Sequence, residues 1–435
     1  DASGPTAEWE QQLSRHSFDW LLAITHLKLL PDSVLSIPER GSVNFHDGLL
    51  PAYGGLNAPV WALIDGAPTY GITWHLVTAG IDEGDVLVER RFDVADEETS
   101  LSLNTRNFEA AIDSFQELID LLVSGDVTGR PQDTSIQRRT FSRHDRPDAF
   151  GILDFSRPAA ELDRLVRALS FGPYPNTVCT PKLVVGDLSS SDGTVTVVSA
   201  EVRDVAGVSG TIISSDPDAV VVACGEGALA ITAVATARGG ALDLTQAIEA
   251  HDLRPGRVLS SLDPRTSEAL VSLAAQAARA ESLYERQLHS LEPVELPWAR
   301  TPTADHVARH ERTALDVPDG LAVDAVVGAW ATLLSRLVGK DRFHLAVSDA
   351  VWAGALGATA GLFARSAPVE ISIDPTESLA GAVSGVADRL AAARGRLPFA
   401  QELIARHPDL TRNPDLAAGR ILPVAVRLGE GDTAD

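Results

Sequence analysis

The sequence predicts an α/β domain, then a small β-barrel or sandwich, then an α+β lobe. Three observations predict it. Residues 18–123 alternate short apolar runs with segments of helical periodicity, the pattern of an α/β layer. Residues 182–233 hold short apolar runs separated by Gly and Asp. Residues 267–394 return to long helical patterns with two short strand-like runs between them.

The elements follow in order. Residues 18–24 are uniformly apolar after Asp19, as in a buried parallel strand. Residues 42–46 form a short strand that runs into Asp47-Gly48-Leu49-Leu50-Pro51, a loop with turn chemistry. Residues 58–65 are helical, 71–77 and 85–92 are strands, and residues 80–84 connect them. Residues 101–123 form a helix with Phe108, Ile112, Phe115, Leu118, Ile119 and Leu122 on one side, expected to face the core. Residues 159–169 form a short amphipathic helix ahead of strands at 182–185, 195–205, 210–213, 219–223 and 228–233. One long helix is expected over 267–291, and a helix over 324–337 is apolar nearly all round and so expected to be buried. Strands at 343–347 and 368–373 and a helix at 379–394 complete the set. The domains are set at 1–125, 126–250 and 267–435, with the Pro/Asp-rich 251–266 as linker.

A chain of 435 residues is too long for one ordinary core. Its formal net charge of −24 argues against binding nucleic acid or an anionic membrane through bulk charge. The two cysteines, Cys179 and Cys224, have no metal-ligand spacing and read as small buried apolar groups, so no metal is expected. A reducing, cytoplasmic compartment fits them. No apolar run is long enough to span a bilayer. The sequence contains no methionine and begins with Asp, as expected of a piece of a longer chain.

The densest polar cluster is Asn44, His46 and Asp47 at the end of a strand, where ligands of open α/β sheets bind. Asn44 and His46 lie two apart and share one face of the strand. Asp82 lies in a loop with glycines on both sides. An amide, an imidazole and a carboxylate together can drive acyl transfer. Asn44 and a protonated His46 would donate to an oxyanion, and Asp82 would hold His46 charged and take the proton of the attacking group. No Ser or Cys nucleophile stands beside them, which points to direct transfer. Taken singly, each residue also has a structural reading: a histidine at a strand end, an aspartate in a turn.

The run SVNFHDGLLPAYGG at 42–55 resembles the signature of the formyltetrahydrofolate-dependent formyltransferases, Asn-x-His followed by a Leu-Leu-Pro loop. GIT at 71–73 and GIDEGDVL at 80–87 resemble the second signature, Asp-x-Gly before an apolar strand. The resemblance implies that Asn44, His46 and Asp82 are the catalytic trio. It places Leu49, Leu50, Pro51, Gly80, Glu83 and Gly84 beside the cofactor, 10-formyltetrahydrofolate. It implies a Rossmann-like sheet whose N-terminal part is missing here, since only a short stretch precedes Phe18. DFSRPA at 154–159, LVRAL at 165–169, GTI at 210–212 and ACGEGAL at 223–229 resemble the family's C-terminal, OB-like domain, with Asp154 and Arg157 structural. Gly48 and Gly54 stand where a serine and a basic residue are common, so acceptor recognition is expected to differ from that of the tRNA enzyme.

Residues 267–435 resemble the C-terminal lobe of peptide-synthetase condensation domains. The resemblance rests on LYERQL at 283–288, LEPVELP at 291–297, AWATLLSRLVG at 329–339, GLF at 361–363 and LPF at 397–399. The His-His-x-x-x-Asp-Gly signature of condensation is absent, and His306 and His310 do not reproduce it, so this lobe is expected to be non-catalytic. The two resemblances together imply formylation of a small-molecule or carrier-tethered amine beside downstream synthetase domains. The alternative is an inactive formyltransferase-like platform for those domains.

Overall fold

The computed structural model describes residues 6–125, 127–295 and 321–429. Its first sheet contains β1 (Trp20–Ala23), β2 (Gly41–His46), β3 (Thr69–Leu76) and β4 (Val86–Asp93), in the order β1-β2-β3-β4. β1 and β2 run parallel, while β2, β3 and β4 pair antiparallel. On β3, Tyr70, Ile72 and Trp74 are buried on one face and Thr73 and His75 on the other, so the sheet is covered on both sides. Helix α1 (Ala58–Asp65) starts with a proline in its first turn and stops at Gly66, where φ is +68°.

Helix α2 (Ser100–Ser124) starts at a capping box between Thr99 and Ser102 and ends at Gly125. Its buried side is Leu103, Asn107, Ser114, Leu118 and Leu122, and Trp74 Nε1 donates to Ser114 Oγ at 2.9 Å. Leu118 and Leu122 of the row expected to face the core are on that side, while its other members are centred about a quarter turn round from it. Phe108, Ile112 and Phe115 are 44%, 74% and 37% exposed and touch the core only through ring contacts of Phe108 with Phe45 and Phe115 with Trp74. Two polar side chains facing inward, Asn107 and Ser114, set that rotation because their partners lie in the sheet and its loop.

After α3 (Ala159–Ala168) come β5 (Lys182–Val184), β6 (Thr194–Arg203), β7 (Ile212–Ser215), β8 (Val220–Ala223), β9 (Ala228–Thr236) and β10 (Ala241–Leu242). They form one antiparallel sheet in the order β5-β6-β9-β8-β7, with β10 paired to β9. The pairing path therefore has two ends, β5 and β7, where a closed barrel would have none. Cys179 and Cys224 are free and buried, and burial pushes their thiols up to about 12 and about 11.

The stretch expected to be a linker is packed. After α4 (Leu244–Ala250), Leu253 and Leu259 are buried in the same core as the six-stranded sheet, and Leu259 N–H donates to the Gly210 carbonyl at 2.8 Å. The single helix expected over 267–291 is two, α5 (Pro264–Ala278) and α6 (Glu281–His289). They serve different cores, which explains the break. Leu270, Ala274 and Ala277 pack in the core of the six-stranded sheet, while Tyr284 and Leu288 pack with Phe399 and Leu403.

Helix α7 (Val323–Val338), strands β11 (Arg342–Asp349) and β12 (Ala367–Ser372), helix α8 (Leu379–Arg394) and strand β13 (Ala425–Leu428) form the layers of the last lobe. The sheet order is β12-β11-β13, with Ala331 and Leu334 of α7 and Val386 and Leu390 of α8 in one core with it. Only one side of α7 is buried: Trp330, Leu333 and Leu337 are 38%, 56% and 49% exposed, contrary to the fully buried helix expected. His306, His310 and the end of the 291–297 motif lie outside the described residues. Among the described residues no helix is long and apolar enough to cross a membrane.

Candidate active site

The register of β2 against β3 assembles the site. It sets Asn44 opposite His75 and His46 opposite Thr73. Side chains directly opposite each other on antiparallel strands approach closely, so each pair shares one patch of the sheet. The loop after β3 then returns Asp82 over the end of β2. Asp82 adopts φ +53°, a left-handed conformation that turns its carboxylate back towards the sheet.

Asp82 Oδ2 accepts the Gly55 N–H at 2.7 Å and stands 3.6 Å from His46 Nδ1. Its Oδ1 stands 3.4 Å from His75 Nε2. Burial alone would raise the Asp82 carboxyl. The hydrogen bond from His75, the charge of His46 and the Gly55 N–H outweigh it and hold the group at about 2. His46 Nε2–H donates to the Tyr53 carbonyl, which leaves Nδ1 facing the carboxylates of Asp82 and, at 4.0 Å, Asp47. His75 Nδ1–H donates to the Leu76 carbonyl at 2.9 Å, and Asn44 Nδ2 lies 3.2 Å from its Nε2. Asp47 is pushed up by burial, with His46 opposing and Asp82 adding to the shift.

The loop expected to line the cofactor is fixed from below. Tyr70 Oη donates to the Asp47 carbonyl at 2.7 Å, and Asn107 Nδ2 donates to the same oxygen at 3.0 Å. Thr73 Oγ1 donates to the Gly48 carbonyl at 2.8 Å. Leu49, Leu50 and Pro51, which follow in the chain, are buried. Gly84 admits no side chain, because a Cβ there would fall 1.7 Å from the Leu76 carbonyl oxygen. Glu83 is exposed and folds back towards Gly80, where a Cβ would meet Glu83 Oε2 at 2.1 Å.

The three side chains picked from the sequence thus come together, and two further residues join them. His75 was missed, although alternation along 71–77 puts it on the face of Thr73 and the strand pairing brings it to Asn44. Gln132 was missed too. Its Nε2 donates to the carbonyls of Asp82 and Gly84 at 2.7 and 2.8 Å, clamping the loop from a segment with no pattern of its own. His46 also stands differently from the expected oxyanion donor. It is 4% exposed, with one ring nitrogen on a backbone carbonyl and the other towards Asp82. Asn44 is half-buried and the Asp82 side chain keeps 12% exposure, so these two reach solvent and the imidazoles brace the carboxylate from behind.

Comparison with known proteins bears on this arrangement. The family described as Formyl transferase matches residues 3–119, and the Formyl transferase, C-terminal domain matches residues 147–252. Methionyl-tRNA formyltransferase of Pseudomonas fluorescens (strain SBW25) is 33% identical over 55% of this chain and 71% of that protein. The chain belongs to the formyltransferase family. Methionyl-tRNA formyltransferase of Myxococcus xanthus (strain DK1622) is 29% identical over 58% of this chain and 76% of its own length. Among solved structures, HypX from Aquifex aeolicus is similar with a TM-score of 0.42 at 19% identity, over 59% of this chain and 43% of that one. The N-formyltransferase from Helicobacter canadensis has a TM-score of 0.35 at 17% identity, over 45% and 67%. Both family matches end before residue 267, so they leave the last lobe uncovered.

Proposed function

We propose that this chain transfers a formyl group from 10-formyltetrahydrofolate to the amine of an amino acid or of a carrier-tethered aminoacyl group in nonribosomal peptide biosynthesis. The observation that carries the reading is that His46 and His75 both stand against the Asp82 carboxylate, with Asn44 Nδ2 beside His75 Nε2. The cofactor reading is supported by an amide and a carboxylate that reach solvent at a strand end, followed in the chain by the apolar Leu49, Leu50 and Pro51. Bound there, the cofactor supplies an activated formyl carbon. Asn44 Nδ2 donates to the formyl oxygen as negative charge develops on it. Asp82, ionised at neutral pH, accepts the proton that the amine nitrogen loses as its bond to the formyl carbon forms; the bond from that carbon to N10 breaks, and tetrahydrofolate leaves with a proton on N10. His46 and His75 keep the carboxylate oriented and charged, and Gln132 holds the loop that carries it.

The synthetase setting is supported by the motifs at 283–288, 329–339, 361–363 and 397–399 and by a lobe in which α7 and α8 cover a three-stranded sheet. In this reading the lobe is a non-catalytic, condensation-like scaffold that meets downstream synthetase domains.

The test is mass spectrometry of free amino acids and aminoacyl carrier proteins incubated with the full chain and 10-formyltetrahydrofolate. A formylated product that disappears with Asp82→Asn or His46→Ala is the expected result. Binding of a folate analogue without transfer to any amine would instead favour an inactive platform.

A further inference from the structure

Away from the first sheet, α6 and the segment after α8 bring three metal-binding side chains together. Glu285 and His289 lie one helical turn apart on α6 and so project from the same face. His407 comes from the turn ahead of the short helix Pro408–Thr411. One donor atom from each of the three lies within 4.8 Å of the others. His407 Nδ1 stands 3.3 Å from Glu285 Oε1, and the rings of His289 and His407 meet edge-on with centroids 6.5 Å apart.

We propose that Glu285, His289 and His407 bind one divalent transition-metal ion of the zinc class, with the fourth position left to water. Two imidazoles and a carboxylate form a donor set that such ions take in open tetrahedral sites. A tetrahedron with bonds near 2.1 Å has edges of about 3.4 Å. The Glu285–His407 edge therefore already has the required length. His289 is exposed and its ring is free to close the remaining distance. The two backbones that carry the ligands are locked beforehand. Arg406, next to His407, is buried and paired with Glu281 on α6, and Tyr284 of α6 packs on Phe399. Glu281 and Glu402 both face Arg406 and offset its repulsion of a cation. The sequence gives no sign of this site, because His407 lies far along the chain from Glu285 and His289.

The test uses the full chain without a polyhistidine tag, stripped with a chelator. Equilibrium dialysis against Zn²⁺ should give one ion per chain, and Co²⁺ should give the visible absorption of a tetrahedral complex. His289→Ala should keep its fold, since the residue is exposed, and should weaken Zn²⁺ binding by at least about tenfold, the lower end of what losing an outer-shell partner costs. Zn²⁺ should raise the Tm of the parent chain and raise that of His289→Ala by less at the same concentration. Failure to bind Zn²⁺, or equal affinity in the His289→Ala chain, would reduce the cluster to an ion pair beside a ring contact and overturn the proposal.

Discussion

His75 Nε2 stands 3.4 Å from Asp82 Oδ1 across the mouth of the candidate site. Strand pairing fixes His75, and a left-handed turn fixes Asp82, so the contact is set by the backbone before either side chain chooses a rotamer. It gives Asp82 a second imidazole besides His46, and a doubly braced carboxylate stays ionised where it is largely shielded from water.

Asp82 should therefore contribute to stability in a pH-dependent way. Its folded value of about 2 lies below the ordinary 3.8. A depressed carboxyl stabilises the fold above the unfolded value and loses that contribution as pH falls through the folded one. The gap corresponds to about 2 kcal/mol. Asp82→Asn should lose about that much at neutral pH, and the difference should shrink as pH is lowered from about 5 towards about 2. Denaturant unfolding of both chains across that range measures it. A difference constant with pH would mean that the imidazoles do not hold the carboxylate.

His75→Gln should act through Asp82. Without the His75 hydrogen bond the carboxyl rises, so the acid limb of the pH–rate profile should move to higher pH while the alkaline side stays in place. Because Asp82 itself remains, kcat at neutral pH should fall by less than the roughly 10²-fold that loss of a positioned acid–base group costs. Formyl-transfer rates over a pH series check both. A uniform loss with no shift of the limb would assign His75 to packing alone.

Local pattern made much of this legible in the sequence, and tertiary pairing accounts for what was not. Helix α8 matches the expected 379–394 because Ser378 caps it and Gly395 ends it, both local signals. Asn44, His46 and Asp82 were found because strand ends and glycine loops are local too. His75 required knowing that β3 lies beside β2, and Gln132 required the fold of a segment with no periodicity. On α2 the expected row is right at Leu118 and Leu122 and wrong at Phe108, Ile112 and Phe115. Its apolar periodicity is strong, but Asn107 and Ser114 have partners that turn another side inward.

Gln132→Ala should loosen the loop without touching the reacting atoms. It removes two hydrogen bonds to buried or half-buried carbonyls, worth roughly 1–3 kcal/mol together. Hydrogen exchange at Gly80 to Asp85 should accelerate, and KM for the folate should rise more than kcat falls. Unchanged exchange there would show that the backbone holds the loop unaided.

The junction between the six-stranded sheet and the last lobe rests on Glu402. Its carboxylate meets Lys182 Nζ at 2.5 Å and accepts from Thr180 N–H and Oγ1 at 3.0 and 2.9 Å. Burial would raise this carboxyl, but Lys182 and Arg406 more than reverse that and keep it ionised. Removing one member of such a pair strands a buried charge and costs about 3–5 kcal/mol, whereas removing both charges costs far less. Glu402→Ala should therefore destabilise the chain strongly, and Lys182→Met with Glu402→Leu should recover most of the loss. Because Lys182 lies on β5 and Glu402 in the lobe, thermal unfolding of the parent chain should show the two regions melting together. In Glu402→Ala the lobe should melt first. Equal losses in the single and double variants would mean that shape, rather than charge, joins the two regions.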